Sequence, residues 1–307
     1  MNNPRISQLL VETKAFKDLD KPVILTSGEL GIYYINTEKL AQDNGEFEKF
    51  GDNSLAMIQH AVRMTKEHPT FGEVIDILAN DARRLLPNFS RNNEYGISGG
   101  QRRDWLFSGP VADKLQIPHI SLYKDGKLEI VAPSGETYGL EALGGRRFQT
   151  LHFVDLLTEA SSCYRLEGEE PAGWIPMLRG NNFPINNLVT VVSRLQGGEE
   201  RLKQQGVNVE AKVAIDADFL KNYSKQPEIA VLYNQNPTAW SQDYLRTNGA
   251  LLFAADFDPA GKKLDRAKKF LTRYRSILEE AGRLQELDLA VKDKYNKPLD
   301  ELIGVKA

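Results

Sequence analysis

Between Leu151 and Ser162 the chain reads LHFVDLLTEASS, an apolar run that delivers one aspartate, Asp155, and then small hydroxylated residues. A strand ending in such a loop can aim backbone N–H groups and the hydroxyls of Thr158, Ser161 and Ser162 at a phosphate, and a helix starting there adds its dipole. Asp155 would then meet sugar hydroxyls or a metal. The same residues also suit a strand end followed by an N-capping Thr or Ser, a role with no ligand in it. Both readings stay open on this stretch alone. Cysteine and histidine chemistry is poorly supplied. The one cysteine, Cys163, can form neither an internal disulfide nor a Cys-based zinc site, and His60, His68, His119 and His152 show no HExxH-like spacing.

The elements that must position these residues can be read from periodicity. The first fifteen residues predict a helix through Leu9, Leu10 and Val11, and KPVILTSGELGIYYINTEKL predicts a hairpin-like pair of strands about a Ser-Gly turn. Between Asn53 and Arg84 the three-to-four spacing of Met57, Ile58, Ala61 and Val62, then Val74, Ile75, Leu78 and Ala79, predicts two helices broken at His68-Pro69. Beyond Pro87 come EYGISGGQRRDW, a helix through GPVADKL, a strand at PHISLY, a turn at Lys124-Asp125-Gly126 and a strand at FQTLHFVDLL. Strands alternating with helices imply a parallel sheet with helices against it. A short helix around Trp174 to Leu178 between two loops, a strand NLVTVV, a helix GGEERLKQQG and a strand VNVEAKVAI follow. Beyond residue 222 helix formers dominate. A helix from Asp265 to Leu289 lays Ala267, Phe270, Leu271, Tyr274, Ile277 and Leu278 on one stripe, which must pack on something.

Composition bounds the class. The 307 residues are 41% hydrophobic and 26% charged, ordinary for a soluble globular protein, which excludes disulfide scaffolds, fibres and wholesale disorder. A net charge of −3 lacks the basic excess of a nucleic-acid footprint, so no nucleic-acid partner is expected. No apolar stretch approaches membrane-span length and the N-terminus has no signal-peptide core, so the expectation is no membrane and a reducing cytoplasm.

Four pieces, in order over roughly residues 15 to 222, carry a resemblance. HFVDLLTEASS is similar to the phosphoribosyl-pyrophosphate loop of type I phosphoribosyltransferases. VVSRLQGGEERLKQQGVNVEAKVAIDADFL resembles the late strand-helix-strand of orotate phosphoribosyltransferases, with Arg194 and Gly197-Gly198 in place. LTSGELGIYYIN resembles that family's early Ser-Gly element with paired aromatics. GISGGQRRDWLFSGPVADKLQIPHISLYKDGK is similar to its Gly-Gly turn, helix and strand running into a lysine-bearing mobile loop. The resemblance implies an α/β fold, with a parallel-sheet core in residues 1–222 and a mainly helical C-terminal extension in 223–307.

It also implies a reaction: a ring nitrogen of orotate or a related base displaces pyrophosphate from phosphoribosyl pyrophosphate, with Mg²⁺, in a homodimer. Lys127 and Asp155 are then the catalytic residues. Gly99, Gly100, Lys124, Thr158, Ser161 and Ser162 hold phosphoribosyl pyrophosphate; Ser27, Tyr33, Tyr34 and Arg194 hold the base; Asp155 reaches the metal through sugar and water. Plainer roles exist beside these. YKDGK also reads as a hairpin turn with solvated lysines, Gly99-Gly100 as a tight turn, and Arg102-Arg103 as solvated residues before a helix. Alternation along a strand lets at most one of Tyr33 and Tyr34 line a site.

The loop is degenerate against the family pattern. Val154 stands at the first acid, Glu159 at a threonine, and Ala160-Ser161 at two glycines. Thr26, Tyr123, Glu129 and Ser193 replace a lysine, a basic residue, a histidine and an aspartate. Three readings follow: an orotate-type phosphoribosyltransferase, a phosphoribosyltransferase for another base, or a degenerate module of the same fold that binds a nucleotide or nucleobase metabolite for regulation. The altered residues Val154, Glu159 and Ala160 are what separates the first from the last.

Overall fold

A computed structural model describes residues 2–42, 45–86, 95–145 and 148–304. Helix α1 (Pro4–Glu12) starts where the Asn3 side chain accepts the amides of Arg5 and Ile6. Strands β1 (Phe16–Ile24) and β2 (Leu30–Ile35) form a two-stranded sheet. Helix α2 (Ser54–Glu67) is capped by Asn53, and α3 (Pro69–Leu85) begins at a proline whose missing N–H costs nothing at a helix start. Then come β3 (Tyr95–Gly100), α4 (Trp105–Leu115), β4 (His119–Leu122), β5 (Leu128–Val131), β6 (Thr137–Tyr138) and β7 (Gln149–Leu157). The hairpin β8 (Arg165–Glu167) and β9 (Glu170–Ala172) precedes α5 (Trp174–Gly180), β10 (Ile185–Ser193), α6 (Gly198–Gln204) and β11 (Asn208–Ala214). The remainder is helical: α7 (Ala217–Tyr223), α8 (Pro227–Gln235), α9 (Pro237–Asn248), α10 (Leu264–Glu280), α11 (Leu284–Tyr295) and α12 (Leu299–Ile303). Among the described residues no helix is long and apolar enough to cross a membrane.

The chain divides into two compact units. The first is Met1–Phe16 with Ile35–Asp216, and the second is Lys17–Tyr34 with Ala217–Ala307. The first holds a seven-stranded sheet in the order β11-β10-β7-β3-β4-β5-β6. Neighbours from β11 to β4 are parallel, and β5 and β6 are antiparallel additions at one edge. This is the α/β class with a mostly parallel sheet that the alternating pattern implies. In such sheets ligands bind outside the carboxyl ends of the strands.

Side-chain alternation sorts the central strands. One face carries Ile120, Leu122 and Val154 into a core with Ile175, Leu178 and Leu188. On the other, His119 is bonded at both ring nitrogens, to Ser108 Oγ at 2.8 Å and Ser121 Oγ at 3.0 Å. His152 lies on the Val154 face with Ser98 Oγ 2.9 Å from Nδ1, and its buried Nε2 has no partner among the described residues. Burial keeps both rings neutral by pushing each down to about 3.

The second unit differs from the sequence expectation in two ways. The sequence places the first 222 residues in one domain, yet the β1–β2 hairpin belongs with the helices. Ile24 and Leu30 are fully buried in one core with Phe253, Phe270, Leu271 and Tyr274, which is the partner the apolar stripe required. The helix expected from Asp265 to Leu289 is also two helices. Gly282, at φ +69, ends the first, and Arg283 N returns to Leu278 O at 2.7 Å.

Two expectations follow. A chain truncated after residue 222 leaves Ile24 and Leu30 without their core, and should aggregate or loosen; a soluble product with an unchanged melting point contradicts this packing. The histidines also make stability acid-sensitive. Their folded values lie below the unfolded value near 6.5, so their contribution is complete above about pH 6.5 and is lost as pH falls toward 3. The slope is about 1.4 kcal/mol per pH unit for each. His152→Gln should therefore flatten the fall in urea midpoint between pH 6.5 and 4.5, whereas a slope equal to wild type removes His152 from the account.

Candidate functional site

Strands β3 and β7 are parallel neighbours, and their carboxyl ends meet at one buried side chain. Asp104, just ahead of α4, accepts the Gly100 N–H on Oδ2 at 3.1 Å and the Asp155 N–H on Oδ1 at 2.9 Å. Burial, with the Asp155 charge beside it, drives its carboxyl well above the usual range, against the pull of the two amides. Asp155 is 7% exposed. Its Oδ2 accepts the hydroxyl of fully buried Thr37 at 2.5 Å and faces Arg103 Nη1 at 3.8 Å. The Arg103 Nε in turn lies 3.7 Å from Glu38, whose carboxyl burial pushes upward while Arg103 pulls it back. The sequence reading missed Asp104 and Thr37. An aspartate before a helix reads as an N-cap, but Asp104 makes no side-chain cap bond and reaches back to the strands instead.

Beyond Leu157 the chain does not enter a helix, contrary to the expected helix start at 158–162. Ala160 sits in the left-handed region at φ +58, and the amides of Cys163 and Tyr164 fold back onto its carbonyl at 3.0 and 2.8 Å. The β8–β9 hairpin then intervenes, and the first amides of α5, from Trp174 and Ile175, are taken by the carbonyls of Ser162 and Cys163. No helix therefore begins within the loop itself. What the loop offers is its own backbone: the amides of Glu159, Ala160, Ser161 and Ser162 donate to no acceptor among the described residues. Successive N–H groups around a left-handed residue form an anion-binding concavity. Gly198 holds the loop from behind. Its amide donates to Thr158 O at 3.0 Å, and a Cβ there would stand 2.4 Å from that oxygen. Thr158 is half-buried, Glu159, Ser161 and Ser162 are exposed, and Val154 is buried in the core.

Gly99 and Gly100 are the last residues of β3, not a turn. A Cβ on Gly99 would lie 2.2 Å from Ser108 Oγ, and one on Gly100 would lie 2.3 Å from Trp174 Nε1. The close approach that requires glycine is thus made by the protein's own side chains. The peptide bond from Gln101 to Arg102 is cis. Gln101 donates its amide to Leu122 O and accepts the Lys124 amide on Oε1, both at 2.8 Å, tying the end of β3 to the β4–β5 turn.

That turn is tight, as the plainer reading of YKDGK has it. Tyr123 N donates to Lys127 O at 3.0 Å, and Lys127 N to Asp125 Oδ1 at 3.0 Å. Lys124 and Lys127 are exposed. The Lys127 ammonium lies 3.2 Å from Glu129 Oε1 and 4.9 Å from the centre of the Tyr123 ring.

Arg194 directly follows β10, is half-buried, and donates its amide to Leu157 O at 2.9 Å. The carboxyl edge of the sheet therefore gathers Gly99, Gly100, Lys124, Lys127, Asp155, Thr158, Ser161, Ser162 and Arg194. Ser27, Tyr33 and Tyr34 belong to the second unit. There Tyr33 is buried with its hydroxyl on Asn234 Oδ1 at 2.7 Å, Tyr34 is exposed, and Ser27 lies exposed in the β1–β2 turn.

Among the described residues no group of three His, Cys, Asp or Glu side chains could hold a metal ion by itself. Both Asp104 oxygens already accept amides, and a guanidinium faces Asp155.

No protein-family model matches the chain, and no curated protein sequence does. Among solved structures it is similar to UMP synthase of Leishmania donovani, at 17% identity over 74% of this chain with a TM-score of 0.47. The match spans 40% of that enzyme's length. The orotate phosphoribosyltransferase of Aeropyrum pernix aligns at 15% identity over 71% of this chain and 98% of its own, TM-score 0.40. The adenine phosphoribosyltransferase of Leishmania donovani aligns at 14% over 72% and 83%, TM-score 0.43.

Asp104→Ala leaves two buried amides without an acceptor, and should destabilise the protein by about 1–3 kcal/mol after relief of the buried carboxyl is counted. Hydrogen exchange at the Gly100 and Asp155 amides should quicken while that of β10 holds. Unchanged protection at both amides would contradict the joint.

Proposed function

We propose that the carboxyl edge of the sheet binds a phosphorylated ribose and that the chain is a phosphoribosyltransferase of the type I fold. Its donor is phosphoribosyl pyrophosphate, its acceptor orotate or a related base, and its products the nucleotide and pyrophosphate. The observation that carries this is the run of amides at Glu159–Ser162 with no acceptor among the described residues, directly beyond Asp155 at the end of a parallel strand. The sequence resemblance of the same stretch supports it.

In this reading the amide concavity, with the Ser161 and Ser162 hydroxyls, holds the 5′-phosphate. The exposed Glu159 side chain keeps its charge in water, which weakens its repulsion of that phosphate. Asp155, fixed by Thr37 and by its own amide on Asp104, accepts from the ribose hydroxyls. As a ring nitrogen bonds to C1 and the C1–O bond breaks, pyrophosphate leaves with the electron pair, and Arg103, Lys124 and Lys127 supply positive charge where that negative charge develops. Arg194, at the end of β10, is assigned to the base. Asp155 would reach Mg²⁺ through the sugar and water, and the metal would supply positive charge to the leaving pyrophosphate. A homodimer and a cytoplasmic setting complete the proposal.

The test combines binding with turnover on the full chain. Phosphoribosyl pyrophosphate with magnesium, at about 100 times its Kd, should stabilise the native state by about 2.7 kcal/mol and raise the melting temperature. Asp155→Ala should weaken binding about tenfold or more, and Glu159→Thr should tighten it. Pyrophosphate release should appear with orotate, uracil or a purine base. Binding without release from any of them makes the chain a nucleotide- or base-sensing module, and no stabilisation at all removes the ligand class.

A further inference from the structure

The Glu129 carboxylate is held from three directions. Its Oε2 accepts the hydroxyl of Ser54, the fully buried first residue of α2, at 2.7 Å and the Tyr123 hydroxyl at 2.9 Å. Its Oε1 accepts Lys127 Nζ at 3.2 Å. Burial opposes the charge on Glu129, but the hydrogen bonds from Ser54, Tyr123 and Lys127 outweigh it and leave the carboxyl below its ordinary value. Tyr123 remains a donor because burial pushes its hydroxyl up to about 12. The Tyr123 ring packs edge-on against Trp105, whose indole N–H donates to Gly99 O at 2.9 Å. The carboxylate is therefore anchored to α2 and to the Tyr123–Trp105 pair, while the lysine that it touches has its side chain 56% exposed and, among the described residues, is otherwise held only over the Tyr123 ring.

We propose that Glu129 is a positioning residue for Lys127: it docks the ammonium in the β4–β5 turn until an anionic diphosphate competes for it. This rests on reading the carboxyl edge as a diphosphate site. Glu129 cannot follow the lysine, because two buried-side hydroxyls hold one of its oxygens. Lys127 can leave, since one partly exposed ion pair and one ring contact are weak restraints. A diphosphate carries more negative charge than one carboxylate and offers several acceptor oxygens. The exchange thus sets part of the cost of binding the leaving group, through a residue that itself stays off it.

Calorimetric titration of inorganic pyrophosphate with magnesium into wild type, Glu129→Gln, Lys127→Ala and the double variant tests the exchange. Gln keeps an acceptor for the hydroxyls but loses the charge that holds the ammonium. Glu129→Gln should tighten pyrophosphate by about 3- to 5-fold, the scale of one exposed pair. Lys127→Ala should erase that gain, so that the double variant binds like Lys127→Ala alone. An equal gain in the double variant makes it a general charge effect and overturns the proposal. A second readout needs no ligand: trace acetylation followed by mass spectrometry should find Lys127 several-fold less reactive than Lys124 in wild type and equally reactive in Glu129→Gln. Equal reactivity in wild type means there is no docking. Protected Lys127 with no pyrophosphate binding in any form overturns the diphosphate reading and the exchange with it, leaving only an ion pair.

Discussion

The carboxyl edge of the sheet depends on one carboxyl group that accepts two amides at once. Asp104 joins the last residue of β3 to the amide of Asp155 in β7, so it fixes both the gap between the strands and the position of the aspartate on which the sugar reading rests. The arrangement stores a cost, because two carboxyl groups are buried side by side. The amides, the Thr37 hydroxyl and the more distant Arg103 offset part of it. Removing any one of these loosens Asp155 without touching the hydrophobic core, which is why this joint rather than the core decides what the edge can bind.

The two faces of the central strands constrain the loop differently. On the α4 side, Gly99 lets Ser108 approach, and Ser108 in turn bonds His119, so strand and helix are locked through polar contacts. On the other side Val154 and Trp174 belong to an apolar core. A carboxylate at Val154 would be buried in that apolar core, so the valine and the packing of that face are physically one fact. The loop beyond β7 is held from behind by Gly198, the first residue of α6, and the β8–β9 hairpin separates it from α5.

Much of this was legible from residue types. LHFVDLL is β7 with Asp155 near its carboxyl end, the break at His68-Pro69 is real, and GGEERLKQQG is α6, because alternation, proline and capping act locally. Tyr33 and Tyr34 do face opposite ways, one buried and one exposed. What was not legible depends on partners distant in sequence. The hairpin's membership of the helical unit follows from Ile24 and Leu30 meeting Phe270 and Tyr274, and no local pattern announces that. The missing helix after Leu157 follows from the left-handed Ala160, a conformation that favours glycine or asparagine and that alanine does not signal. The role of Asp104 was hidden behind its resemblance to a helix cap.

The central claim is that the backbone from Glu159 to Ser162 is the phosphate site. Titration of ribose 5-phosphate into isotopically labelled protein, followed through the backbone amide resonances, tests it without any assumption about turnover. The account predicts saturable shifts concentrated at Glu159, Ala160, Ser161 and Ser162, with a smaller response at Asp155 as the sugar hydroxyls engage its carboxylate. Saturable shifts elsewhere with these amides unmoved, or no response at millimolar ligand, would contradict it.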